Sequence, residues 1–192
     1  EARAQDLEQR TRQLESLARV VAEPQLKFAT ARVIADSSGS FVRLALIDAG
    51  RDNGVKAGYP VISAEGLVGR VISTGQRASR LLLLTDFNSR IPVQIGAGNI
   101  RAVMHGDNGP LPKVSFLQPG AVITPGDPVF TSGVGGVFPR GLRVGKIVGV
   151  GDDFRIEPAA SLDRIDYVSV LFFDVPGLGA GDELVDAPAT AP

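Results

Sequence analysis

Three residues of this chain, His105, Asp127 and Ser132, have the types and the chain order of a catalytic triad. One large class of serine proteases uses the same order, histidine, then aspartate, then serine. In such a site the histidine removes the proton of the serine hydroxyl while the aspartate orients the imidazole. Ser132 also lies in a glycine-rich stretch, TSGVGG, of the kind that can surround a nucleophile. A serine hydrolase is therefore one functional hypothesis.

The spacing of these residues argues against that hypothesis. Only 27 residues separate His105 from Ser132, and both lie in the second copy of an internal repeat. A chymotrypsin-like enzyme instead builds its triad in the cleft between two barrels, with residues from each. A histidine beside a surface turn explains His105 as well, so we assign no catalytic residue. A serine hydrolase on a two-barrel, chymotrypsin-like fold stands as the alternative function.

Other kinds of chemistry have less support in the sequence. One histidine and no cysteine leave only carboxylates as metal ligands, and Asp152 and Asp153 lie in a short turn sequence, GVGDDF. The glycines of GVGGVF are followed by Pro139, so no helix begins there to bind a phosphate. The net charge of −1 provides no basic field for nucleic acid. We expect no metal, no cofactor and no nucleic-acid partner.

The first 24 residues have the pattern of a coiled-coil helix. They contain no glycine, and proline appears only at Pro24, which ends the helix. Apolar and small residues recur at spacings of three and four, with Glu, Gln and Arg on the other faces. We expect this helix to be the dimerisation element, through Leu7, Leu14, Leu17 and Val21. The helix has no cap before it, so we expect a preceding segment that carries the targeting information.

From Ala29 onward the pattern changes to short strands separated by turn sequences. A near-duplicate stretch appears twice, as AGYPVISAEGLVGRVI near residue 58 and PGDPVFTSGVGGVFPRGLRVGKIV near residue 126. Each copy follows strand, polar turn, strand and glycine-rich turn. A unit of about 70 residues suits a closed barrel of five or six strands, which leaves no exposed sheet edge. The duplication therefore predicts the same barrel built twice, with Gly58 and Gly126 at equivalent bends.

The resulting prediction is an all-β fold with two small six-stranded barrels in tandem behind the N-terminal coiled-coil helix. Its domains are the helix at 1–24, the first barrel at 25–98, the second barrel at 99–175 and a disordered tail at 176–192. The last strand, Tyr167 to Phe173, could instead pair back with the first barrel. Leu81 to Leu84 is typical of a buried strand. Phe138, in the glycine-rich loop, is either an anchor in its own barrel or a possible partner contact.

Three segments, taken in order, resemble the MreC family of rod shape-determining proteins: NGVKAGYPVISAEGLVGRV, LLLTDFNSRIPV and GDPVFTSGVGGVFPRGLRVGKI. The resemblance covers about residues 25 to 173. It implies a non-enzymatic scaffold of the bacterial cell-elongation complex, which maintains rod shape by organising peptidoglycan synthesis. It also implies a location in the periplasm, with the full-length protein anchored to the inner membrane. The implied partners are a second copy in a homodimer or filament, the elongation penicillin-binding transpeptidase, and MreD.

Overall fold

The computed structural model describes residues 26–38 and 43–174. Within these residues the chain forms twelve strands, one short 3-10 helix at Arg51–Asn53 and no α-helix. The strands are β1 (Phe28–Ser38), β2 (Arg43–Ile47), β3 (Pro60–Ile62), β4 (Leu67–Thr74), β5 (Ser79–Leu83), β6 (Arg90–Ile95), β7 (Ile100–His105), β8 (Lys113–Ser115), β9 (Pro128–Thr131), β10 (Arg143–Val150), β11 (Asp153–Pro158) and β12 (Tyr167–Leu171).

The strands close into two six-stranded antiparallel barrels. The first has the order β1-β12-β3-β4-β5-β2, and the second has the order β10-β11-β8-β7-β6-β9. The prediction of an all-β chain with two six-stranded barrels is therefore confirmed. The predicted coiled-coil helix at 1–24 and the predicted disordered tail at 176–192 lie outside the described residues.

The predicted boundary between the barrels at residue 98 differs from the strand pairing. Strand β6 belongs to the second barrel, where it pairs with β7 and β9. Strand β12 belongs to the first barrel. Its Val170 pairs with Ala29 of β1 on one side and with Val61 of β3 on the other. The second barrel is thus one continuous segment inserted between β5 and β12 of the first. Of the two possibilities for the last strand, the structure has the one that pairs it back with the first barrel.

The two barrels have the same pattern of strand pairing, as the sequence repeat predicted. Strands β1 to β5 correspond to β7 to β11, and β12 takes the position that β6 takes in the second barrel. Gly58 and Gly126 have left-handed φ angles of 92° and 97°, which favour glycine. Their amides donate to the carbonyls of Val71 and Ile147 at 2.7 and 2.8 Å. The two copies therefore match in backbone geometry as well as in sequence.

Each barrel has its own apolar core, and the cores meet at the junction between the barrels. The first is built from inward residues of its six strands, including the fully buried Ile47, Val61 and Leu81. The second includes Ile91, Met104 and Ile156, among others, and also Leu67. Leu67 begins β4 of the first barrel but is fully buried in the core of the second. The second core therefore depends on a residue from the first barrel.

Candidate functional site

The three triad-like residues do not meet in the folded chain. His105 on β7 faces Arg90 on β6, while the Ser132 amide donates to the Pro92 carbonyl on the other side of β6. Two strand spacings, about 10 Å, therefore lie between the backbones of His105 and Ser132. Asp127 lies beside Gly96, past the far end of β6, about 20 Å along the strand from the level of Arg90. No general base reaches Ser132 in this arrangement, which removes the geometric basis of the hydrolase hypothesis.

His105 has the environment of a neutral, half-buried side chain. Burial lowers its pKa, and the positive charges of Arg90 and Lys113 lower it further, against the opposing effect of Asp107. Its Nδ1 atom is buried and has no hydrogen-bond partner among the described residues. No cluster of three or more metal-ligating side chains occurs in the described part of the chain either.

The glycine-rich loop after β9 is held in place by its own barrel. The Thr131 hydroxyl donates to the Pro139 carbonyl at 2.6 Å and accepts from the Leu142 amide at 2.9 Å. Phe138 is 3% exposed and packs in the second core. Of the two predicted alternatives for Phe138, the structure supports an anchor in its own barrel. The other alternative, a partner contact, does not fit, because the ring is covered by that barrel.

The remaining predicted residues divide between the core and the undescribed segment. Leu81, Leu82, Leu83 and Leu84 are all buried, as predicted for a core strand. The predicted dimerisation residues, Leu7, Leu14, Leu17 and Val21, lie outside the described residues. Within those residues, the structure brings together no set of predicted site residues.

A buried polar cluster joins the two barrels. Asp86, fully buried, accepts hydrogen bonds from the Arg43 amide at 2.7 Å and the Asn88 amide at 2.8 Å. The Arg43 side chain also donates from Nε to the Asn108 carbonyl at 2.9 Å. Asn108 in turn donates its amide to the Thr85 carbonyl at 2.9 Å. Since Arg43 begins β2 and Asn108 follows β7, this cluster connects the first barrel to the second.

Three of the exposed apolar residues of the second barrel come from one loop that the sequence did not single out. Phe116 and Val122 are each 81% exposed, and Leu117 is partly exposed. All three lie in the loop between β8 and β9, here called the β8–β9 loop. Phe116 also has a left-handed φ of 55°, which is uncommon for an aromatic residue and costs backbone energy. A Phe-Leu pair just before Gln-Pro-Gly was the only available sequence signal.

This combination makes the β8–β9 loop the candidate functional site. An exposed aromatic side chain beside further apolar residues is typical of a protein-binding surface. Such a surface can hold a partner by burying apolar area. Among the described residues, no helix is long and apolar enough to cross a membrane.

The family model and the curated relatives that match this chain carry the same family name. Residues 33–172 match the family model described as "Rod shape-determining protein MreC, barrel core". Over 172 residues the chain is 44% identical to the cell shape-determining protein MreC of Caulobacter vibrioides, which covers 89% of this chain and 50% of that protein. The chain spans about half the length of the curated relatives it matches.

Solved structures give the same fold. MreC from Pseudomonas aeruginosa matches with a TM-score of 0.71 and 32% identity, over 76% of this chain and 99% of that chain. The major periplasmic domain of "the cell shape-determining filament MreC" matches at 0.66 and 27% identity, over 76% and 97%. MreC from Helicobacter pylori, solved in complex with the penicillin-binding protein PBP2, matches at 0.59 over 77% and 99%. Its identity of 18% makes that last likeness one of fold alone.

Proposed function

The chain belongs to the MreC family of rod shape-determining proteins, and we propose that it is the periplasmic part of a non-enzymatic scaffold. In this proposal the protein maintains rod shape by organising peptidoglycan synthesis within the cell-elongation complex. The observation that carries the proposal is the family match over both barrels, residues 33–172. The separation of His105, Asp127 and Ser132 supports a scaffold over the serine hydrolase.

We infer that the principal partner is the elongation penicillin-binding transpeptidase, with MreD as a second. The Helicobacter pylori relative, which shares this fold, has been solved with the penicillin-binding protein PBP2. The β8–β9 loop offers the kind of surface that such a contact needs, because Phe116 and Val122 expose most of their side chains. Burying a large apolar side chain at an interface contributes about 1.5–3 kcal/mol.

Location and assembly complete the proposal. The relative described as a filament contributes a periplasmic domain of the same fold, which supports a periplasmic site for this chain. In the full-length protein a preceding segment anchors the chain to the inner membrane. The heptad residues Leu7, Leu14, Leu17 and Val21 pair two copies, and further self-association extends the dimer.

The test of the proposal is binding of the purified chain to the purified elongation transpeptidase of the same organism, measured by biolayer interferometry. We expect binding that falls at least tenfold in the double variant Phe116→Ser/Val122→Ser. The matched control is Phe28→Ser/Ile34→Ser, which removes two exposed apolar residues from the first barrel. Equal affinities for the two double variants would show that the β8–β9 loop is not the contact. No binding by the wild type would remove the transpeptidase as partner.

A separate experiment addresses the serine hydrolase. We expect a fluorophosphonate probe to leave Ser132 unlabelled, because His105 lies about two strand spacings from it. Labelling at Ser132 that is lost in His105→Ala would restore the hydrolase and contradict the scaffold.

A further inference from the structure

Four basic or titratable side chains form one row across the outside of the second barrel. The strand register pairs Arg90 with His105, His105 with Lys113 and Lys113 with Arg155, across β6, β7, β8 and β11. Residues paired directly in antiparallel strands point to the same face of the sheet. Their inward neighbours Ile91, Met104 and Ile156 are buried, so the row faces outward. These four residues are called the cationic row below.

The charge of the row is only partly balanced. Asp107 accepts a hydrogen bond from Arg155 at 2.7 Å and lies 4.0 Å from the Lys113 ammonium. Arg90 donates to the Phe87 carbonyl at 3.2 Å and forms no ion pair with any described residue. His105 is neutral at pH 7, since its pKa is lowered. Three cations and the one carboxylate that pairs with them leave two positive charges in excess, which Asp152 and Asp153 reduce at the Lys113 end of the row but not at Arg90.

A groove with both apolar and charged side chains continues the row at its Lys113 end. Lys113 and Arg155 line this groove together with Val114, Leu117 and Phe154. Asp152, in the turn before β11, and Asp153, which begins β11, also line it. The outward residues next to Arg90 and His105 along their strands are Pro92 and Val103, which are paired with each other and uncharged. A ligand that follows the row therefore meets positive charge first and an apolar recess second.

We propose that the cationic row is a docking surface for an extended acidic segment of a partner protein, whose alternate carboxylates pair with Arg90 and Lys113 and whose next side chain on the same face, an apolar one, enters the groove. The backbones of β6 and β8 are about 10 Å apart. Alternate carboxylates of an extended segment are about 7 Å apart, which the long arginine and lysine side chains can match. Asp152 and Asp153 repel a further carboxylate, so the acidic part of the segment lies toward Arg90.

The size of the charge excess favours a polypeptide over other anionic partners. A membrane surface is typically bound through clusters of four to eight basic residues. Nucleic acid needs a broad basic field, which a chain with 20 basic and 21 acidic residues does not provide. Arg90, which has no ion pair with a described residue, and Lys113, which shares Asp107 with Arg155, instead suit a short segment that mixes carboxylates with apolar residues.

The experiment uses an array of synthetic nonapeptides that carry Asp, Asn or Ser at positions 3 and 5 and Leu at position 7, so that all three side chains share one face of an extended segment, probed with the fluorescently labelled chain. We expect binding to the Asp set that weakens as sodium chloride rises. The variant Arg90→Ala/Lys113→Ala should weaken it about three- to tenfold, the effect of losing two exposed ion pairs. Its matched control, Arg140→Ala/Arg143→Ala, removes two exposed arginines from the same barrel, away from the row, and should bind as the wild type does.

Three results would overturn the proposal. They are equal binding by the two double variants, equal binding of Asp and Asn peptides, and binding to phosphatidylglycerol vesicles without binding to peptides. Melting temperatures establish that each variant is folded, and Arg90→Gln, at an exposed residue without an ion pair, repeats the test with a milder change. Leu117 belongs to both surfaces, but the two tests change different residues, Arg90 and Lys113 here and Phe116 and Val122 in the transpeptidase test, so either proposal can fail alone.

Discussion

Gly69 and Gly145 lie where a neighbouring strand comes too close for any side chain. A Cβ atom on Gly69 would lie 2.0 Å from the Leu82 carbonyl oxygen, and one on Gly145 would lie 2.0 Å from that of Glu157. Both contacts are with backbone atoms, which cannot rotate away. These positions are equivalent in the two copies, so the repeat preserves a glycine at each for a steric reason.

We therefore expect Gly145→Ala to lower the free energy of unfolding by about 2–3 kcal/mol, as overpacking in a close contact does. Urea unfolding followed by circular dichroism measures this change. The control is Gly149→Ala on the same strand, where the nearest atom to a new Cβ would be Pro125 Cγ at 3.8 Å. Equal unfolding midpoints for the two variants would contradict the steric argument.

Asp107 makes the stability of the second barrel depend on pH. Burial acts to raise its pKa, but the net shift is downward, because Arg155 and the Gly109 amide donate hydrogen bonds to it and the charges of Arg155 and Lys113 add to them. A carboxyl with a lowered pKa in the folded state stabilises the fold above its unfolded pKa of 3.8. That stability is lost as the pH falls through the lower folded pKa.

The variant Asp107→Asn should be less stable than the wild type by about 1–3 kcal/mol at pH 7, because it loses charge-assisted hydrogen bonds. The difference should shrink as the pH falls below about 4, where the unfolded wild type takes up a proton. Urea midpoints measured between pH 7 and pH 2.5 give the comparison. A difference that stays constant over that range would mean that ionisation of Asp107 does not stabilise the barrel.

At the scale of the strands, the sequence predicted the repeated barrel pattern but did not predict that the unrepeated last strand, β12, closes the first barrel. The matched GxPV and glycine-leucine segments identified both copies because identical local packing requires the same residues twice. Periodicity indicates which face of a strand is buried, but it does not identify the neighbouring strand. The closure of the first barrel by β12 therefore stayed open, and the boundary at residue 98 was wrong.

Site prediction had a similar limit at the scale of loops. Phe138 and Phe116 are both aromatic residues in loops, and nothing in their flanking sequence states which one is covered. The structure buries Phe138 and exposes Phe116. Likewise, the cationic row joins residues from four strands whose register only the folded chain supplies.

The end of β12 is fastened to the first barrel by Tyr59. The Tyr59 hydroxyl donates to Asp174 at 2.9 Å, and its ring lies 5.5 Å from that of Phe172. We expect Tyr59→Phe, which keeps the ring, to cost about 0.5–1.5 kcal/mol. Thermal unfolding measures this loss, and the control is Tyr167→Phe, at an exposed tyrosine whose hydroxyl has no hydrogen bond to another described residue. Equal losses in both variants would mean that the Asp174 contact does not stabilise β12.

Across the whole molecule, the inserted second barrel is coupled to the first through Leu67. This side chain is fully buried in the second core although its strand belongs to the first barrel. Leu67→Ala should cost about 2–5 kcal/mol, because the cavity it leaves cannot fully close. Hydrogen exchange should show reduced protection in β6 and β7 of the second barrel.

The matched control is Leu81→Ala, an equally buried leucine of the first core alone. It should reduce protection in β2, β4 and β5 while β6 and β7 keep theirs. If Leu67→Ala left exchange in the second barrel unchanged, the barrels would be energetically independent and Leu67 would not couple them.

We propose that a coiled-coil helix at residues 1–24 decides how two copies of the whole molecule associate. Its predicted heptad seam has large apolar residues at Leu7, Leu14 and Val21, with alanine or threonine at the other positions, and Leu17 widens it. Each large side chain buried adds about 1.5–3 kcal/mol, and together they oppose an association cost of at least ~4 kcal/mol. We expect monomer and dimer in concentration-dependent exchange, shifted toward dimer when a membrane anchor raises the effective concentration. Sedimentation should show that Leu14→Asp abolishes the dimer, because a charged residue replaces a central seam leucine. Equal dimerisation of wild type and variant would assign the dimer contact to the barrels.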